Sequence, residues 1–186
     1  MHDAVAVTIL VCWVAFWLYW LAAAVATKEE RPGGGQWARF AGFRVLFVVV
    51  MVVLLRGRGI HNQAPTGDPW RQAVGSAMFV LGLAVAIWAR GNIGRNWGMP
   101  MNRKQDGELV TTGPYRLIRH PIYSGILLAM AGTAVAVAWY WLIVVAVTGA
   151  YFIFSATREE RYMLTQFPDS YPEYKQTTKM LVPYVF

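Results

Sequence analysis

Long apolar runs separated by short polar segments dominate the chain. The first, Ala4 to Ala26, carries no charged residue, and about 20 apolar residues in a helix cross a bilayer core. It therefore predicts a membrane span. A cleaved signal peptide would begin with basic residues and a shorter apolar stretch, and Met1-His2-Asp3 offers no such start. Lys28-Glu29-Glu30-Arg31-Pro32, followed by three glycines, then reads as a loop. A second span is expected over 37–55, with Arg39 and Arg44 in its first turns, where long side chains can snorkel to the interface. A third is expected over 72–89, after a polar stretch punctuated by Gly57, Gly59, Pro65, Gly67 and Pro69.

From Ile122 to Ser155 no residue bears a formal charge. A single helix of that length would extend about 51 Å, against a hydrocarbon core of about 30 Å. Two spans, 122–137 and 140–156, folded back on each other near Ala138-Trp139-Tyr140-Trp141, fit better, because Trp and Tyr favour the interface where the turn would lie. The pattern predicts an all-α integral membrane protein, a single domain over 1–186 with five transmembrane helices, the last two a helical hairpin. Two polar segments, 90–125 and 157–186, lie outside the spans.

Composition agrees. Of 186 residues, 56% are hydrophobic and 15% charged, where a soluble domain carries about 25% charged residues. The single cysteine, Cys12, excludes an intramolecular disulfide framework and a cysteine-based zinc site. The histidines at 2, 61 and 120 lack metal-ligand spacing, so no metal is expected. A net charge of +7 would suggest nucleic acid in a soluble protein, but here the membrane accounts for it. Five spans place fourteen of the 17 Lys and Arg on one side and leave Arg56, Arg58 and Arg71 on the other. Because cytoplasmic loops carry the Lys/Arg excess, the long loop and the C-terminus are expected in the cytoplasm, at the plasma (inner) membrane if the source is bacterial.

Both polar segments thus lie on one side and can converge. His120 precedes a proline at a span entrance, where an imidazole could be held rigidly; a capping role is the plainer alternative. Tyr123 shares a face with it if the helix starts early enough. Glu159 and Glu160 oppose the dipole at the end of the fifth span, a cost that a ligand's ammonium group would explain and that Arg158 and Arg161 could also offset. Arg116 and Arg119 suit a carboxylate or phosphate, or simply anchor the chain. Gly57-Arg58-Gly59 is no dinucleotide fingerprint, and Gly82 with Ala86 forms a small-xxx-small pair suited to close helix packing.

The ordered residues Leu109-Val110-Thr111-x-Gly113-Pro114-Tyr115-Arg116-x-x-Arg119-His120-Pro121-x-Tyr123-x-Gly125, followed by Glu159-Glu160, Phe167, Tyr171, Tyr174 and Pro183, resemble the integral-membrane methyltransferases related to isoprenylcysteine carboxyl methyltransferase, with phospholipid N-methyltransferases as more distant kin. The resemblance implies S-adenosylmethionine bound on the cytoplasmic side. It further implies that Leu109, Val110, Tyr115, His120, Pro121 and Tyr123 line the cofactor pocket and that Glu159 meets its amino acid end. The implied activity is methyl transfer to a lipophilic or lipidated acceptor entering from the bilayer, carboxyl O-methylation included. Prenylcysteine enzymes carry an Arg four residues before the cofactor-binding Glu, and here that position is Ser155. A different lipophilic acceptor is therefore expected, with Arg158 as the candidate contact for it and no general base identified. The competing readings are an NADPH-dependent membrane reductase related to sterol reductases and a non-enzymatic membrane scaffold or carrier.

Overall fold

A computed structural model describes residues 2–26, 68–94 and 109–185. All regular elements among them are helical: α1 (His2–Ala26), α2 (Pro69–Ile93), a 3-10 turn (Gly113–Arg116), α3 (Pro121–Ala136), α4 (Trp141–Gln166) and α5 (Ser170–Thr177). α1, α2 and α4 are long and apolar enough to cross a membrane, and α3 is a shorter apolar helix. The chain is an integral membrane protein. The span expected over 37–55 lies outside the described residues.

Local chemistry sets the boundaries. α2 begins at Pro69, whose missing N–H costs nothing in a first turn. It runs through Arg90, which the sequence assigned to the loop, and stops at Gly94 with φ +50, a backbone that glycine adopts without strain. The hairpin turn falls at 137–140 as expected. Exposed Trp139 lies there, with the Arg71 guanidinium 4.5 Å from its ring centroid, which ties the turn to the start of α2. α4 departs most from expectation: it continues to Gln166 instead of ending at 156. No breaker interrupts it before Phe167-Pro168, and Arg, Glu, Met and Leu are good helix formers.

The centre of the bundle is the α2–α3 contact, built on small residues. A Cβ added at Gly75 would lie 2.5 Å from Ala136 N, one at Gly125 would lie 2.6 Å from Gly82 O, and Gly82 and Gly132 are tighter still. The backbones touch, and in lipid such van der Waals packing takes over from the hydrophobic effect in joining helices. α1 lies across this pair. Trp13 Nε1 donates to Thr133 Oγ1 at 3.1 Å, and the Trp13 and Phe79 rings meet edge to face. Trp13 meets Phe79 and, further along, Tyr19 lies within electrostatic reach of Arg90, so α1 and α2 run parallel. Val7, Val11, Val14, Leu18 and Leu21 remain exposed on its outer side, the arrangement expected of a lipid-facing helix.

Candidate functional site

One end of the bundle gathers the end of α2, the 3-10 turn, the start of α3, the end of α4 and the whole C-terminal segment. His120 caps α3, and Pro121, fully buried at the first helical position, fixes the direction in which the chain enters it. The segment before α3 zips onto the C-terminal segment. Arg119 N donates to Lys179 O at 2.8 Å, His120 N to Met180 O at 3.1 Å and Ser124 Oγ to Leu181 O at 2.6 Å. Tyr174 Oη donates to Tyr115 O at 2.6 Å. The two polar segments therefore meet at one end of the bundle.

Two adjacent carboxylates on α4 have separate surroundings. Glu160 is 3% exposed and accepts from Arg119 Nε at 2.7 Å and from Lys175 Nζ at 2.8 Å. Arg119, itself 7% exposed, also donates to the carbonyls of Thr178 and, at 3.3 Å, Lys175. Glu160 thus clamps the C-terminal segment to the bundle. Glu159 is 22% exposed. Its Oε1 accepts from Tyr123 Oη at 2.5 Å, and its Oε2 stands 3.2 Å from His120 Nδ1. Each oxygen keeps acceptor capacity beyond that one donor.

His120 lies between the two. Its Nε2 is 3.5 Å from Glu160 Oε1 but makes no hydrogen bond, so that contact is electrostatic. Burial works against a charge on His120, yet the hydrogen bond to Glu159 and the charges of both glutamates outweigh it and lift the pKa above the ordinary histidine value. The ring stacks on Tyr123, with centroids 5.5 Å apart, and Tyr123 stacks on Phe152 at 4.4 Å. Burial pushes the phenols of Tyr115, Tyr171 and Tyr174 above the usual tyrosine value, so each remains a neutral hydrogen-bonding group. Ser155 Oγ sits 3.3 Å from Tyr123 Oη on the inner face of α4.

The sequence profile of the family described as phospholipid methyltransferase matches residues 70–170, from the start of α2 to the start of α5. The chain belongs to the phospholipid methyltransferase family. Among curated relatives, Methanethiol S-methyltransferase 1 of Bradyrhizobium diazoefficiens is 39% identical over 70 residues, 38% of this chain and 24% of that protein. Protein-S-isoprenylcysteine O-methyltransferase B of Arabidopsis thaliana is 32% identical over 125 residues, 62% of this chain and 61% of that protein. A nickel-cobalt-cadmium resistance protein of Alcaligenes xylosoxydans xylosoxydans is 35% identical over 86 residues, 46% of this chain and 36% of that protein. The chain spans less than two thirds of each of these relatives.

Within this family framework, the structure brings His120, Tyr123 and Glu159 into one hydrogen-bonded group. Tyr115 and Pro121 are buried behind it, and Leu109 and Val110 are half-buried on the approach to the 3-10 turn. Arg158 does not join them. It lies on the outward face of α4 with its guanidinium 5.6 Å from the Phe154 ring centroid, about 100° around the helix from Glu159. The sequence reading also missed the clamp formed by Arg119, Glu160 and Lys175. Helical phase carried the signal: Glu160 lies four residues after buried Ala156, on the inner face of a helix that does not end at 156.

Proposed function

We propose that this member of the family is an S-adenosylmethionine-dependent membrane methyltransferase whose acceptor is a small or lipophilic molecule arriving from the bilayer. The observation that carries the reading is the Glu159 carboxylate, partly exposed, oriented by Tyr123 and His120, and backed by the Tyr123–Phe152 stack. The donor set fits the cofactor: a carboxylate with free lone pairs suits an ammonium group, and stacked rings suit a flat apolar face. When bound, S-adenosylmethionine supplies an electrophilic methyl group on a sulfonium sulfur.

The chain's own share is binding and placement. Glu159 would hold the ammonium group, with Tyr123 and His120 fixing its rotamer. Leu109 and Val110 would line the approach, while Tyr115 and Pro121 shape the wall from behind. The two glutamates favour the protonated form of His120, whose Nδ1 stands 3.2 Å from Glu159 Oε2, a placement suited to positioning that carboxylate. Acceleration then rests on orientation and on keeping water away from the reacting atoms.

Ser155 supports an acceptor without a carboxylate. It is 8% exposed beside Tyr123, at the position where the prenylcysteine enzymes carry Arg. Of the acceptors for which these relatives are named, methanethiol lacks a carboxylate and fits this reading, whereas isoprenylcysteine carries one and does not. The Lys/Arg excess on one side supports a site facing the cytoplasm.

Purified full-length protein tests the reading. S-adenosylhomocysteine should raise the melting temperature, and Glu159→Gln should remove that shift. Stabilisation by NADPH alone would overturn the proposal in favour of a reductase, and stabilisation by neither compound would favour a scaffold or carrier.

A further inference from the structure

Across α4 from the glutamates, Phe154, Thr157, Arg158 and Arg161 line a concavity that opens outward. Both arginines are exposed, and among the described residues neither has a carboxylate within 4 Å; the ion pairs of Glu159 and Glu160 go to His120, Arg119 and Lys175 instead. Two like charges three residues apart on one helix face repel each other unless an anion lies between them. The face leading to them is apolar: Ile143, Val147, Ile153 and Phe154 are 69%, 60%, 40% and 57% exposed.

Depth fixes the setting. Trp139 and Arg71 mark the interface at the far end of the bundle. Arg158 lies about 26 Å along α4 from Trp141, against a hydrocarbon core of about 30 Å. The two guanidiniums therefore stand at headgroup level at the end of an exposed apolar stripe. We propose that this concavity binds the phosphodiester of an anionic membrane lipid, with an acyl chain along the outer stripe of α4. Paired guanidiniums present planar donors suited to phosphate oxygens, the Phe154 ring covers the glycerol region, and the lipid's negative charge relieves the Arg158–Arg161 repulsion. This site lies outside the bundle and is independent of the proposed methyl-transfer site.

Native mass spectrometry of the full chain in detergent, supplied with equal amounts of dioleoylphosphatidylglycerol and dioleoylphosphatidylcholine, tests it. The anionic lipid should be retained in preference, and R158Q/R161Q should reduce its retention about tenfold, while R158K/R161K, which keeps the charge but not the planar fork, should fall between the two. Should the double Gln variant fail to fold by circular dichroism, Arg158→Gln and Arg161→Gln singly should each lower retention about threefold. Undiminished retention in the Gln variants overturns the proposal. Equal retention of the two lipids overturns it as well, and full displacement by millimolar inorganic phosphate would reassign the concavity to a free anion.

Discussion

Replacing Glu160 by Gln removes one charge and almost no volume, and so isolates what the clamp contributes. Glu160 is 3% exposed and faces Arg119 Nε at 2.7 Å, with Arg119 7% exposed. Stripping one partner from such a buried pair costs about 3–5 kcal/mol. Two features reduce that here: Arg119 also donates to the carbonyls of Lys175 and Thr178, and the Gln side chain keeps an acceptor oxygen. About 2–3 kcal/mol remains, which at about 1.4 kcal/mol per decade corresponds to a 30- to 150-fold more populated open state. The opening is local, since the C-terminal segment is joined to the bundle chiefly by Arg119, His120, Ser124 and Tyr115. Hydrogen exchange reads it at the amides of Arg119 and His120, which bond to Lys179 O and Met180 O. Their exchange should accelerate by the same factor while the α2–α3 interface holds its protection. Lys175→Ala is the control. Its side chain is 44% exposed, and pairs of that kind contribute about 0–1 kcal/mol, a few-fold at most. Equal acceleration in the two variants would refute the clamp.

Much of this architecture is written in local pattern, and the rest is not, for identifiable reasons. α1 and the α3–α4 hairpin follow from uninterrupted apolar runs and from the Trp139-Tyr140-Trp141 cluster at the interface, and the Gly82–Ala86 pair marks the α2–α3 contact. The bridge between Ile118 and Lys179 joins segments some sixty residues apart and has no periodicity of its own. Charge counting put both segments on one side of the membrane, and only the family resemblance joined them in one pocket. Glu159 and Glu160 are chemically identical neighbours, so composition could not divide their roles. The division comes from the 100° step between them on a helix that continues past the membrane. The same phase turns Arg158 outward, toward the Phe154 ring and away from Glu159.

Gly132→Ala places a methyl group against the Phe79 backbone and should cost about 1–3 kcal/mol, read as a lower melting temperature in detergent. Gly91→Ala, with nothing within 4 Å of its added Cβ, should instead stabilise α2 by about 0.5–1 kcal/mol; the opposite order would refute the close-packed interface. Tyr174→Phe loses the bond to Tyr115 O and should cost about 1 kcal/mol, seen as faster exchange in the C-terminal segment but not in α2. The last prediction concerns pH. His120 faces Glu159, Glu160, Arg119 and Tyr123, and its folded pKa lies above its unfolded value of about 6.5. Below about pH 6.5 both states bind the proton, and the ion-paired imidazolium contributes its full stabilisation. As pH rises through the raised folded value only the folded state must give up a proton it was holding, so stability falls across that window. Melting temperatures measured from about pH 6 to 9 should therefore decline in the wild type and lose that slope in His120→Gln. A slope of the same size in both proteins would mean that His120 is not the group holding the charge between the two glutamates.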